Sequence, residues 1–334
     1  MQRLRDRSVT AVFRRSRQSG PLAVTLRSLA WAMAMTLAGC AADPSAFRGG
    51  PSTIAPGQWV SEQGKPVEEA VVLSRLREAD VVLMGEVHDS TPVHRKQLEI
   101  LRDLDGPLVL GLEQLDLDKE SETGSNGEAM ALDARERAER LGFDFDGWGW
   151  QHYRALFELA TSRRWPVWPL NLSRRNAFAV AMTDEGQWRE ELEREQVETI
   201  EAFGGQLRLP EGSHSELVTD LQQAHCGRVD VAMARRMARA QVARDMLMAD
   251  AVVRARTTFP AHPVIAVMGN QHARRDRGVG YWLDRPAMTG TGKMLAIGML
   301  PIDSIKTLSM SAAAYDFVFI TEPVERDVDC DTAA

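Results

Sequence analysis

The sequence predicts an α/β protein: a mostly parallel sheet flanked by helices, with a smaller all-α helical subdomain inserted. Three observations carry this. Short apolar runs alternate with helical segments along the chain. Two of those runs, Val81-Val82-Leu83-Met84 and Val264-Ile265-Ala266-Val267-Met268, each end on Gly and a polar cluster holding a His. Continuous apolar runs of this length suit strands buried on both faces of a parallel sheet. Finally, residues 173–256 contain no convincing strand.

Taken in order, Val67 to Ala79 is an amphipathic helix and Val81–Met84 a strand. Ser90-Thr91-Pro92 starts the next helix, with a capping hydroxyl and a Pro in the first turn; it runs to about Leu104. Gly106-Pro107 is a turn, and Leu108 to Leu112 a strand ending on Glu113-Gln114. Residues 116–147 form a polar excursion with a helix near 128–140. Trp150 to Arg163 is helical, and Pro166 to Leu170 is a short extended run ending on Asn171. The middle reads as four helices: Ser173–Met182, Asp184–Ala202, Ser215–Ala224 and Val229–Arg256. Val264–Met268, Met294–Met299 and Phe317–Ile320 are the late strands. Alternating β and α elements argue for a parallel sheet covered by helices. The α/β core domain therefore spans 58–172 and 257–330, around a helical subdomain at 173–256.

Residues 1–40 read as a lipoprotein signal peptide. Seven Arg and one Asp precede an apolar stretch from Leu29 to Ala38, followed by Leu37-Ala38-Gly39-Cys40. A basic segment, an apolar segment and a small-residue cleavage site make an export signal, and this apolar stretch is too short to span a bilayer. Leu-Ala-Gly-Cys resembles the bacterial lipobox, which makes Cys40 the lipidation site and the mature N-terminus. Ala41-Ala42, with no Asp at the second position, resembles lipoproteins sent to the outer membrane, there to face the periplasm or the surface. Residues 41–57, rich in Pro, Gly, Ser and Ala, form a flexible tether.

The chain carries −7. Removing a leader worth +6 leaves about −13, a surface that excludes nucleic acid as a partner. With Cys40 lipidated, Cys226 and Cys330 remain as one pair in an oxidising compartment, and a disulfide between them is expected.

Ligands in open α/β sheets bind outside the carboxyl ends of the strands. Those ends place Glu86, His88, Glu113, Asn171, His272 and Arg274 on one rim. Ionisable groups so placed are paired or used. Glu86, His88, Glu113 and His272 suit a divalent transition metal, and they suit acid–base chemistry equally. Gln241 and Asp245 lie four apart on one helix face and could roof the pocket. Tyr153 lies in a Trp150/Tyr153/Phe157 stripe at helical spacing, the pattern of a core face.

Gly85-Glu86-Val87-His88-Asp89, Trp150-x-x-Tyr153, Leu170-Asn171, Ala224-His225-Cys226-Gly227, the Ala240–Asp245 run and Gly269-Asn270-Gln271-His272-Ala273-Arg274 through Val279 together resemble the ChaN family. The resemblance runs from about Trp59 to Cys330. It implies a haem-binding lipoprotein of the bacterial envelope, linked to iron uptake, with haem or a related tetrapyrrole held at a homodimer interface and coordinated by Tyr. The cofactor-binding residues it marks are Glu86, His88, Glu113, Tyr153, Asn171, Gln241, His272 and Arg274. The superfamily also holds metalloproteases and esterase-like hydrolases, in which the matching Glu and His positions do chemistry. A metal-dependent hydrolase therefore remains the alternative, and residue type does not choose between the two. No Cys-x-x-Cys-His is present, which excludes covalent c-type haem.

Overall fold

The computed structural model describes residues 54–118, 132–286, 288–304 and 314–323. The expected signal peptide, Cys40 and Cys330 lie outside them. The described residues belong to one compact unit.

A short antiparallel pair, β1 (Trp59–Ser61) and β2 (Pro66–Val67), precedes α1 (Glu69–Glu78), β3 (Val81–Glu86), α2 (Thr91–Asp103) and β4 (Val109–Asp116). Next come α3 (Ala134–Arg140), α4 (Trp150–Arg163) and β5 (Val167–Asn171). The middle holds α5 (Arg174–Met182), a 3-10 turn at Trp188–Glu191, α6 (Arg194–Ala202), α7 (Glu211–Ala224) and α8 (Val231–Thr258). The chain then returns to the sheet through β6 (Val264–Gly269), α9 (Val279–Leu283), β7 (Met294–Pro301) and β8 (Phe317–Thr321). The predicted α/β class is what the structure has.

The eight strands run in the order β2-β1-β8-β7-β3-β6-β4-β5. From β8 to β5 every pairing is parallel; β1 lies antiparallel to β8 and to β2. From β3 the chain moves outward to β4 and β5. It comes back as β6 between β3 and β4, then leaves on the other side of β3 as β7 and β8. The strand order thus reverses at β3 and β6, where open α/β sheets hold their ligands.

Side chains alternate between the faces of a strand. Val82, Met84, Leu110, Leu112, Ile265 and Val267 pack with residues of α1 to α4, whereas Val81, Leu83, Val109, Val264, Ala266 and Met268 pack with residues of α5 to α9. Both faces are covered, which explains the uninterrupted apolar runs. The long α8 packs on β4, β5 and β6 and against α5, α6, α7 and α9, so the middle helices form the layer over one face of the sheet.

The strands β1 and β2 and the short α9 have no counterpart in the sequence reading, and two expected elements differ in their course. The expected helix 184–202 is broken, because Leu192 and Glu193 are extended and Glu193 caps α6 through a box with Gln196. The strand expected to stop at Leu112 continues to Asp116, since β4 keeps its pairing with β5 past a register shift and Asp116 meets Asn171.

Candidate functional site

Three neighbouring strands build the site. In register, Glu86 at the end of β3 sits beside Gly269 at the end of β6, and β4 flanks β6 on its other side with Glu113. Alternation sends the two carboxylates to opposite faces. Glu86 follows Val82 and Met84 toward α2 and α4, while Glu113 follows the β4 positions that face α8. His88, just past the end of β3, curls over the strand ends between them.

On the α2/α4 side, Glu86 is buried and satisfied at both oxygens. Oε1 accepts from Tyr153 at 2.5 Å and from Gln114 Nε2 at 3.1 Å, and it lies 2.8 Å from His88 Nδ1. Oε2 accepts from Gln97 Nε2 at 3.1 Å, with His94 Nδ1 at 3.8 Å. Burial opposes ionisation of Glu86, but the hydrogen bond to His88 and the fields of His94 and His88 outweigh it, and the carboxyl lies below its ordinary value. Burial likewise opposes charge on His88; the Glu86 hydrogen bond and the Glu113 field overcome it and push the imidazole up to about 9. Burial, with Glu86 close by, pushes the Tyr153 phenol upward, so it stays a proton donor.

On the α8 side, Glu113 Oε2 accepts the backbone N–H of Gly269 at 2.6 Å, and its Oε1 lies 3.4 Å from His272 Nε2. His272 Nδ1 is 2.6 Å from Asp245 Oδ1, and Gln241 Nε2 is 3.1 Å from the same nitrogen. Burial pushes Asp245 up to about 6, against the pull of His272. His272 is raised despite its burial by the fields of Glu113 and Asp245, and those of His272 and His88 hold Glu113 low against burial. Two histidine–carboxylate clusters therefore stand back to back across the sheet edge.

His88 links them. Its side chain keeps 40% of its exposure, whereas those of Glu86, Glu113, Asp245 and His272 keep between 0% and 7%. A methyl group built on Gly269 would lie 3.0 Å from His88 Nε2 and 3.5 Å from Glu113 Oε2. The absence of a side chain lets the imidazole pack closely against the Gly269 backbone. Trp148 stands edge-on to the imidazole with ring centres 4.9 Å apart, and His152 stacks on His94 at 5.0 Å along the same rim.

The structure thus brings Glu86, His88, Glu113, Tyr153, Gln241 and His272 together, with Asp245. Asn171 is buried at the end of β5, its Oδ1 without a partner. Arg274 forks onto Asp276 at 2.8 and 2.6 Å, with Tyr315 and Asp220 also in its surroundings. Among the described residues, no three of His, Cys, Asp and Glu stand where they could hold a metal ion. Glu86, His88, Glu113 and His272 fail as one metal site because their carboxylates face opposite sides of the sheet and are already engaged. Cys226 is disulfide-bonded; the expected pairing with Cys330 falls outside the described residues.

Sequence reading missed Gln97, Gln114 and His94. Gln114 had a signal: alternation along β4 puts it on the face opposite Glu113, where Glu86 lies. It also missed Asn270, which donates to Met299 O at 2.7 Å and accepts from Met299 N at 3.0 Å, tying β6 to β7. A methyl group on Gly85 would meet Asn270 Oδ1, so that glycine admits the clamp.

The fold and site define an α/β protein with a histidine–carboxylate cluster at its topological switch point. A family model described as "Haem-binding uptake, Tiki superfamily, ChaN" matches residues 72–283, more than half of the sequence, and the chain belongs to that family. Among solved structures, "Cofacial heme binding to ChaN of Campylobacter jejuni" aligns with a TM-score of 0.62 and 16% identity, over 78% of this chain and 95% of that one. At that identity the likeness establishes the fold. An erythromycin esterase mutant in its open conformation aligns with a TM-score of 0.38 and 12% identity over 82% of this chain and 86% of that one. No curated protein matches the sequence.

Proposed function

We propose that this protein binds haem or a related tetrapyrrole at the strand-end site, with His88 as the iron ligand, as part of haem or iron uptake in the cell envelope. Family membership supports the class of ligand, and the Campylobacter jejuni ChaN is described as binding haem cofacially. One observation carries the location: His88 is half-exposed, its Nδ1 is held by Glu86 at 2.8 Å, and its Nε2, packed closely over Gly269, makes no hydrogen bond among the described residues. A carboxylate on the far nitrogen fixes the ring and raises its basicity, the usual support of a metal-binding His. When bound, haem would supply an iron centre that the His88 imidazole would hold. The protein fixes the imidazole through Glu86, packs Trp148 edge-on against it, and holds Glu86 through Tyr153, Gln97 and Gln114.

The tyrosine coordination implied by the family resemblance finds no tyrosine hydroxyl that is both exposed and unpartnered. Tyr153 donates to Glu86, and Tyr315 donates to the backbone oxygen of Asn270 at 2.6 Å. The Tyr281 hydroxyl is buried without a partner. Of these candidates, His88 alone combines exposure with a nitrogen outside any hydrogen bond, one that must give up its proton to hold iron. Haemin added to the purified full chain is expected to give a saturable Soret shift. A spectrum that stays that of free haemin overturns the reading.

Anchoring belongs to the same proposal: Cys40 carries the lipid and the chain is tethered to the outer membrane. The Cys40→Ser variant is expected to accumulate as unprocessed precursor without acyl label. Maturation of that variant to the ordinary mass contradicts it.

A further inference from the structure

A second cleft, of about 610 Å³, lies between the end of α5, the start of α7 and the first turns of α8. Its walls carry Arg208, Arg235, Arg236, Arg239 and His214, none of them part of the strand-end site. Asp184, Glu185 and Glu211 also line it, but all three are exposed, and Glu211 is paired with Arg208. Neither Arg235 nor Arg236 is paired with a carboxylate among the described residues, and Arg235 is exposed. Arg239 donates through Nη2 to the carbonyl oxygens of Ala181 and Thr183, at 2.9 and 2.5 Å, which fixes its guanidinium at the wall. Its Nε and the Nδ1 of His214 are buried without partners.

Three features make this an anion site. Arg235 and Arg239 are one helical turn apart and project to the same side of α8, with Arg236 beside them. The first turn of the 14-residue α7 reaches the same wall, and its cap residue Pro210 offers no side-chain acceptor, so positive partial charge at that terminus adds to the guanidinium field. His214 is held below its ordinary value by burial and then by Arg208 and Arg235, against the opposing charges of Glu211 and Glu185. All this occurs in a chain whose net charge is −7. Guanidinium groups fork onto the paired oxygens of phosphates and carboxylates.

We propose that this cleft binds a small, multiply charged oxyanion of the phosphate or polycarboxylate class, with Arg235 and Arg236 as its principal contacts and Arg239 and His214 completing the wall. The site is separate from the haem reading and stands without it. Its test is calorimetric titration of the full chain with pyrophosphate and, separately, citrate, at low and at physiological ionic strength. At least one probe is expected to bind stoichiometrically, more weakly as salt rises, and to lose about tenfold or more in affinity when Arg235→Gln and Arg236→Gln are combined, since hydrogen bonds to charged groups are strong. Which probe binds identifies the class of anion. Both residues lack a structural carboxylate partner, so the double variant is expected to unfold at the urea concentration of the unsubstituted chain. Absence of heat with both probes at millimolar concentration overturns the proposal, as does equal affinity of the double variant.

Discussion

The Tyr153 hydroxyl donates to Glu86 Oε1 at 2.5 Å, joining residues 67 apart in the chain. Tyr153 comes from α4, Glu86 from the last position of β3, and both are buried. The bond adds to the His88 hydrogen bond and the fields of His94 and His88 that keep this carboxylate ionised inside the protein. It also converts an aromatic core residue into a support of the site.

Tyr153→Phe keeps the ring in the core and removes only the donor. Hydrogen bonds to charged groups contribute about 1.5–3 kcal/mol, and Gln97, Gln114 and His88 remain on Glu86. A loss of about 2 kcal/mol in urea unfolding is expected, with the His88 imidazole titrating at a changed pH in NMR. A loss under about 0.5 kcal/mol with an unmoved His88 titration would show that the phenol does not hold the carboxylate.

Gly269→Ala tests the close packing of His88 over Gly269. The added methyl lies 3.0 Å from His88 Nε2, so the half-exposed ring shifts by a few tenths of an ångström. Stability is expected to change by no more than about 1 kcal/mol, at the mild end of overpacking. Haemin affinity is expected to fall about tenfold or more, because near-contact geometry is steep in distance. Unchanged affinity would place the ligand elsewhere.

The pH dependence of the free protein follows from the same cluster. His88 is raised from 6.5 to about 9, so its contribution to stability is complete below pH 6.5 and is lost as pH rises through about 9. After discounting for its exposure the loss amounts to about 1 kcal/mol. Glu86 and Glu113 are lowered, and their contribution is lost as pH falls below the ordinary carboxyl value of 4.5. Urea midpoints measured across pH 6 to 10 are expected to decline, and the decline is expected to flatten in Glu86→Gln. An identical slope in that variant would contradict the pairing.

Much of this was legible in the residues. The apolar runs at Val81 and Val264 announced buried parallel strands, and their Gly-then-polar endings announced the rim. What could not be read was which side of the sheet each carboxylate takes. That depends on the register of β3, β6 and β4, set by pairings between residues more than a hundred apart. The one-metal reading of Glu86, His88, Glu113 and His272 failed for that reason. Tyr153 was read as core from its spacing, and it is core; only its distal oxygen belongs to the site. The break at Leu192 was hidden because Glu190 to Glu193 has ordinary helical composition, and only the capping box at Glu193 reveals the stop.

The central claim is tested most directly by haemin titration of the full chain carrying His88→Ala or Tyr281→Phe, beside the unsubstituted protein. Binding is read from the Soret band and folding from urea midpoints. His88→Ala is expected to lose the shifted Soret band and about a hundredfold or more in affinity, as loss of a metal ligand should exceed loss of a supporting residue. Tyr281→Phe is expected to keep both, with all three proteins unfolding cooperatively. A His88→Ala protein that binds haemin with the unsubstituted spectrum and affinity, or a Tyr281→Phe protein that loses it, would contradict the assignment of His88 as the iron ligand.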